Sequence, residues 1–136
     1  MRRNVWKVMF MTDYERVLDA FFATAQLNHK IPEDLLRKWF DMAVNSFSFD
    51  IFPLFFDEET QSITNGSDII LDVLGKMIYL QHLRRERARV NRLHNITGRD
   101  LTSNFTETKR ALKTEYDDVI YELEQLKYKL KRHAFS

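Results

Sequence analysis

Cysteine is absent from this 136-residue chain, and glycine and proline are scarce, with three and two residues respectively. Without thiols the chain has no disulfide, no thiolate metal ligand and no cysteine nucleophile, which is typical of proteins of a reducing cytoplasm. Three glycines are too few for a glycine-rich loop that cradles phosphates. No stretch approaches the roughly 20 consecutive apolar residues of a transmembrane helix, so we expect no membrane partner.

A net charge of one sign is lacking as well. The chain has 21 basic and 20 acidic residues, a net charge of +1, so no global field attracts it to nucleic acid or to membranes. Hydrophobic residues make up 44% and charged residues 30% of the sequence. These values exclude wholesale disorder, and together with the length they predict a single folded domain over residues 1–136.

The first eleven residues combine a basic start with an apolar run. Lys7 interrupts that run, and charged residues follow where a secretory signal has small ones, so we expect no signal peptide. A short strand, an arm, or residues upstream of an alternative start at Met11 are the interpretations that remain open for 1–11.

Apolar residues at helical spacing predict two helices within 12–50. A capping box of Thr12 and Glu15 begins the first helix, which we expect to end near Asn28. Pro32 suits the first position of the second helix, which we place at about 32–50.

The stretch 51–66 is predicted to be a non-helical loop. Pro53 breaks the preceding helix, and Asn65 followed by Gly66 is a turn signal. The loop is long enough for a short extended segment or a hairpin. Four of its apolar side chains are expected to lie beneath the helices: Phe52, Leu54, Phe55 and Phe56.

The second half of the chain predicts a long helical hairpin over 67–132. Its first helix covers about 68–96. Gly98 follows the end of this helix, where a left-handed conformation is needed. The second helix covers about 105–132, and the short link between them makes the two helices antiparallel neighbours.

The predicted fold class is therefore all-α. It is a small helical bundle built on the long antiparallel hairpin, with the two shorter N-terminal helices packed on one end. Residues 133–136 form a short tail.

Basic residues are concentrated in the first arm of the hairpin. Residues 81–99 hold one glutamate and six arginines, namely Arg84, Arg85, Arg87, Arg89, Arg92 and Arg99. Folding the hairpin about residue 100 places position 84 opposite position 116. The second arm carries acidic residues in that region, namely Glu115, Asp117, Asp118 and Glu122.

Three interpretations of these arginines remain open. They pair with the acidic residues across the hairpin seam, where each exposed pair contributes about 0.2–1 kcal/mol. Alternatively they face a partner subunit, or they face a phosphate backbone, since a guanidinium group binds both carboxylates and phosphates in a bidentate manner.

No catalytic constellation is recognisable in the sequence. His82 and Glu86 are i,i+4 neighbours, but two ligands do not make a zinc site. Glu115 and Asp118 form one i,i+3 carboxylate pair, whereas helical nucleotide pyrophosphohydrolases use such pairs on two helices. No serine or threonine has a recognisable histidine base. We therefore expect no enzymatic activity, no metal and no cofactor.

The order of the segments within residues 31–132 resembles that of a known family. A helix IPEDLLRKWFDMAV leads to the loop FFDEET. The hairpin arms follow as LGKMIYLQHLRRERARVNRLHNITGRDLTSN and TETKRALKTEYDDVIYELEQLKYK. In this layout the chain resembles the head–tail connector proteins (adaptor or head-completion proteins) of tailed bacteriophages.

The resemblance implies a helical bundle that assembles as a homo-oligomeric ring, commonly of twelve copies, beneath the portal protein. Such a ring extends the channel through which DNA passes without its sequence being read, and it offers a platform to the neck and tail proteins. The family has no catalytic residues. The protein would be made in the host bacterial cytoplasm and reside in the virion, with a terminal segment on the portal, here Tyr128, Leu130 and Phe135.

Two other functions stay open at the level of sequence. One is a small helical regulator that binds nucleic acid through the stretch Arg84–Arg92. The other is a helical scaffold or chaperone-type binding module that holds a partner through a phenylalanine-rich surface.

Overall fold

The structure is a computed structural model that describes residues 11–25, 27, 29–97 and 102–134. These residues form four α-helices and one two-stranded β-ribbon, which confirms the predicted all-α class. In chain order the elements are α1 (Asp13–Thr24), α2 (Glu33–Asp50), β1 (Phe56–Asp57), β2 (Ser62–Ile63), α3 (Asp68–Thr97) and α4 (Thr102–Ala134). Residues 1–10, Gly98, Arg99 and Phe135, which carry some of the predictions, lie outside the described residues.

The predicted cap begins α1, but the helix is shorter than predicted. The Thr12 hydroxyl accepts a hydrogen bond from the Glu15 backbone N–H at 3.1 Å. At the other end, Ala25 has an extended conformation (φ −81°, ψ 129°), so α1 stops before the predicted end near Asn28. The extended connection lets Leu27 pack against the core, which further helical turns would not.

The predicted extended segment is a short antiparallel β-ribbon, in which Phe56 pairs with Ile63. The Asp13 carboxylate accepts a hydrogen bond from the Ile63 N–H at 2.7 Å, which attaches the ribbon to the start of α1. Asn65 has a positive φ of 62°, so the predicted turn before α3 is confirmed.

Three of the four apolar side chains predicted to lie beneath the helices do so. Leu54 is buried, and Phe52 and Phe56 are half-buried. Phe55 is 68% exposed, so the prediction is wrong for this residue. Neighbouring side chains of an extended chain point in opposite directions. Since Phe56 packs on the Phe40 ring at a centroid distance of 4.9 Å, Phe55 faces outward.

The central helix of the bundle is α3, which packs against α1, α2 and α4. A Cβ atom at Gly75 would lie 3.0 Å from the Ala20 Cβ atom and 3.2 Å from the Val17 carbonyl oxygen. Glycine at this position therefore permits the close approach of α1 to α3. The largest fully buried side chains of the described core are Phe21, Phe40, Phe47, Leu74, Ile78, Val17 and Val73.

Helices α3 and α4 form the predicted antiparallel hairpin, and their ends lie within three residues of the predicted bounds. The Arg84 side chain contacts Tyr116, as the predicted register requires. About two turns nearer to the base of the hairpin, the Lys76 ammonium group lies 3.4 Å from the Glu122 carboxylate. Burial against α1 and α2 supports the base of this hairpin, so its register is fixed there.

The end of α2 is joined to the end of α4 by ion pairs. The Asp50 carboxylate lies 3.1 Å from the Lys127 ammonium group and 3.3 Å from that of Lys131. The hydrogen bond from Lys127, with a further one from Lys131, lowers the pKa of Asp50 below its usual value despite some desolvation. None of the helices in the described part of the chain combines the length and the apolar character needed to cross a membrane.

Candidate assembly surface

Two arginines of α3 hold one tyrosine of α4 at the hairpin seam. The Arg84 Nε and Nη2 atoms donate hydrogen bonds to the Tyr116 hydroxyl at 3.1 and 2.8 Å. The guanidinium carbons of Arg84 and Arg87 lie 5.7 and 5.8 Å from the centroid of the Tyr116 ring. These distances are within the range of cation–π attraction. The arginine stretch therefore contacts α4 through a tyrosine.

The predicted arginine–carboxylate pairs across the seam do not form among the described residues. The position opposite Arg84 is occupied by Tyr116, whose hydroxyl takes the guanidinium hydrogen bonds. Successive residues of an α-helix are rotated by about 100° around its axis, so Asp117 and Asp118 point away from the seam. Both of these carboxylates are exposed.

The other two acidic candidates have partners elsewhere on α3. Glu122 pairs with Lys76, and the Glu115 carboxylate accepts a hydrogen bond from the Tyr79 hydroxyl at 3.2 Å. Burial, followed by the negative charge of Glu115, raises the pKa of Tyr79 to about 12. Tyr79 therefore stays protonated at neutral pH and remains the donor in this bond.

Arg89 has local partners. Its Nη2 atom donates to the Glu86 carboxylate, three residues earlier, at 2.9 Å, and its Nη1 atom lies 2.9 Å from the His29 Nε2 atom. An arginine side chain can only donate, so the Nε2 atom of His29 is the acceptor in this contact. Arg89 thus connects α3 to the chain between α1 and α2.

A cleft of about 720 Å³ lies beside Arg89, between that connection, α3 and α4. His82 lies at the cleft and is 8% exposed, and its Nδ1 atom has no hydrogen-bond partner among the described residues. Desolvation lowers the pKa of His82 below its usual value. No three histidine or acidic side chains of the described residues lie close enough together to hold a metal ion.

Arg85 and Arg92 occupy a different part of α3. Both are exposed, and neither has an ion pair within the part of the chain that the structure describes. A rotation of 100° per residue places them on one line of the helix, roughly opposite most of the residues that contact α4 and about 90° around from Arg84. Arg85 also lines the cleft beside Arg89. The exposed Ala88 lies between Arg85 and Arg92. We name Arg85, Ala88 and Arg92 the arginine edge.

The far side of α4 carries an exposed line of aromatic and acidic side chains. Asp117, Tyr121, Glu124 and Tyr128 follow one another at spacings of three or four residues, and the two tyrosines are each 67% exposed. The rotation per residue places this line about 150° around α4 from the residues at the seam. We name these four residues the outer stripe.

The two described residues of the predicted portal-binding segment, Tyr128 and Leu130, do not share a face. Tyr128 belongs to the outer stripe, whereas Leu130 is half-buried and packs against the core. The third residue of that prediction, Phe135, is outside the described part of the chain, as is Arg99 of the predicted basic group.

Sequence reasoning missed the roles of two tyrosines. Tyr116 faces position 84 in the predicted register, so its hydroxyl was the signal for an arginine partner. Tyr121 lies two residues before the buried Leu123. That spacing turns Tyr121 away from the buried face of α4, which was the signal for an exposed aromatic residue.

The hairpin thus presents two exposed surfaces on opposite sides, the arginine edge on α3 and the outer stripe on α4. Separate from both, Phe49 is 96% exposed at the end of α2. No protein-family model, no curated protein and no solved structure matches this chain at a significant level.

Proposed function

We propose that this chain is a structural subunit that assembles with copies of itself into a ring. In this proposal the ring is an adaptor that joins the capsid portal to the neck or tail of a bacteriophage particle and continues its DNA channel. The protein acts through binding surfaces, without a cofactor and without catalysis.

The observation that carries the proposal is the distribution of charge on the hairpin. Arg85 and Arg92 on one side, and Asp117 and Asp118 on the other, are exposed and have no ion pair with each other or within the described residues. Opposite charges that are separated on one body favour contact between bodies. The chain therefore has charged groups available for a neighbour.

The position of these surfaces suits a ring. A ring forms when one surface of a subunit binds a different surface of the next, so that each contact leaves a free surface at either end. The arginine edge and the outer stripe are different surfaces of the hairpin, as this head-to-tail mode requires, and a ring closes when the rotation between successive copies adds up to a full turn. A two-fold dimer would instead need one surface that complements itself.

The viral part of the proposal rests on the resemblance to head–tail connector proteins. It covers residues 31–132 in the order of the helices and of the basic first arm. From it come the portal and the neck or tail proteins as partners, and a ring of about a dozen copies.

Quantitative mass spectrometry of virus particles purified from the source of this gene tests the proposal. We expect the chain in intact particles at a constant ratio to the portal protein, and in the fraction that keeps portal and neck together after the capsid is opened. Absence from the particles, with abundant protein in the infected cell, would contradict the connector function.

A second candidate function is favoured by the exposed arginines. Arg84, Arg85 and Arg92 are exposed on one helix, where they are accessible to a phosphate backbone. Under this alternative the chain is a nucleic-acid-binding regulator. Its affinity for duplex DNA would then fall steeply as salt increases, with a slope of about one logarithmic unit per phosphate contact. Weak binding with a shallow slope favours the connector.

A further inference from the structure

The arginine edge and the outer stripe have the same repeat. Arg85 and Arg92 are seven residues apart on α3, and Tyr121 and Tyr128 are seven residues apart on α4. At 1.5 Å per residue, each pair spans about 10.5 Å along its helix. Two helices that lie side by side can therefore place both arginines on both tyrosines at once.

The chain already contains this kind of contact. At the hairpin seam, Arg84 and Arg87 lie over the Tyr116 ring, and Arg84 donates to its hydroxyl. The seam shows that arginine side chains of α3 reach a tyrosine ring and hydroxyl of α4 when the two helices are neighbours. Tyr121 and Tyr128 present the same ring and hydroxyl on the opposite side of α4, with no such arginine among the described residues.

The residues beside these four side chains fit the same contact. Asp117 and Glu124 precede Tyr121 and Tyr128 by four residues each, so a carboxylate lies next to each ring on the outer stripe. On the arginine edge, the small side chain of Ala88 between the two arginines permits close approach of a neighbouring helix. A guanidinium group seated there has both a ring face and a carboxylate within reach.

We infer that a second copy of this chain docks its arginine edge on the outer stripe, with Arg85 and Arg92 each seated on one of Tyr121 and Tyr128. The contact joins different surfaces of the two copies, so it leaves one arginine edge and one outer stripe free at the ends. This inference rests on the proposed self-assembling function and names the surfaces by which copies meet.

Sedimentation velocity of the purified chain over a concentration series tests the inference with two double variants. The edge variant combines Arg85→Gln and Arg92→Gln, and the stripe variant combines Tyr121→Ala and Tyr128→Ala. Each is expected to weaken self-association at least about tenfold, because each removes two central side chains of the types that dominate interfaces. All four side chains are exposed, so the urea unfolding midpoints should match that of the wild type at a concentration where every protein is a monomer.

Mixing the two variants gives the sharpest result. The edge variant keeps its outer stripe and the stripe variant keeps its arginine edge, so one intact contact remains between them. We expect a one-to-one heterodimer that does not grow, at concentrations where each variant alone is a monomer. A mixture that stays monomeric would overturn the inference, as would variants that assemble like the wild type.

A control variant combines Lys38→Gln and Phe49→Ala, which remove an exposed charge and an exposed aromatic ring from α2. It should assemble like the wild type, and loss of assembly here would also overturn the inference. A wild-type chain that stays monomeric throughout the series overturns this contact as well. The particle measurement decides the connector function separately, since a ring held by other surfaces would still place the chain in the virion.

Discussion

The two halves of α3 are one continuous helix, yet they are stabilised in different ways. Over 68–83 most side chains are buried, because α1, α2 and α4 surround the helix there. Over 84–95 Val90 is the one buried side chain, and arginines occupy most of the turns. Burial of apolar surface is worth about 25 cal/mol per Å², so the first half supplies the larger share of the folding free energy.

This difference separates folding from assembly within a single helix. The buried half fixes the position of α4 and the register of the hairpin. The exposed half, held to α4 by the contact of Arg84 with Tyr116, keeps Arg85 and Arg92 on its outer side. A substitution in the exposed half can therefore change binding while it leaves the folded structure intact.

The largest expected effect comes from the same substitution made in each half. Leu74 is fully buried and Leu93 is 41% exposed. We expect Leu74→Ala to lower the free energy of unfolding by about 2–5 kcal/mol through lost burial and a cavity. Leu93→Ala should cost less than about 1 kcal/mol. Urea unfolding of both variants at low protein concentration measures the difference.

Equal losses for the two leucine variants would contradict the comparison. If the loss for Leu93→Ala grows with protein concentration, a neighbouring copy covers the exposed half, which sharpens the comparison. The unfolding slope should stay that of the wild type, since neither change alters the surface that unfolding exposes.

A smaller effect is expected at His82, where the two halves meet. Burial lowers the pKa of the imidazole in the folded chain, and the charges of Arg85 and Arg89 lower it further, while Glu86 acts in the opposite direction. The unfolded chain therefore binds this proton at a higher pH than the folded chain does. Stability from the neutral ring is present above about pH 6.5 and decreases as the pH falls below it.

His82→Phe is expected to remove that pH dependence. The ring packs against Phe21 and Tyr79, and its Nδ1 atom has no hydrogen bond to lose within the part of the chain that the structure describes. Urea midpoints of the variant and the wild type between about pH 7.5 and 5.5 should diverge as the pH falls, with the variant more stable in acid. Parallel curves would show that His82 does not titrate differently on folding.

The smallest expected effect is at the seam of the exposed half. Tyr116→Phe keeps the ring under Arg84 and Arg87 but removes the hydroxyl that accepts two hydrogen bonds. Because Arg84 is exposed, we expect a loss of about 0.5–1 kcal/mol. Tyr128→Phe is the matched control, because this exposed tyrosine has no hydrogen bond within the described residues. At a concentration where the chain is a monomer, it should leave the urea midpoint unchanged.

Most of the fold follows from the sequence because periodicity and breakers are local. The cap at Thr12 and the loop around Pro53 depend on residues near one another in the chain. The register that brings 84 to 116 follows from the short link between the two helices, and packing of the base against α1 and α2 then holds it. The end of α1 was predicted too late, because no local breaker marks Ala25 and the connection is decided by what the core can accept.

The candidate surface followed from the sequence only in part. The sequence has six arginines in one arm and acidic residues in the other, and these opposite charges predict ion pairs between the arms. Successive residues of α4 rotate around its own axis, which instead brings Tyr116 to the seam and turns Asp117 and Asp118 outward. A charge pattern in a sequence does not tell which way each side chain faces, because the packing of the helices decides that.

The sequence by itself determined that the chain forms four helices, that two of them make a hairpin, and which positions of that hairpin face each other. Only the tertiary structure decided which arginines are already held and which remain on the outside. The reason is that secondary structure depends on neighbours along the chain, whereas exposure depends on which faces α1, α2 and α4 cover. Gly75 shows both effects at one position. Glycine weakens a helix locally, yet its missing side chain lets α1 approach α3.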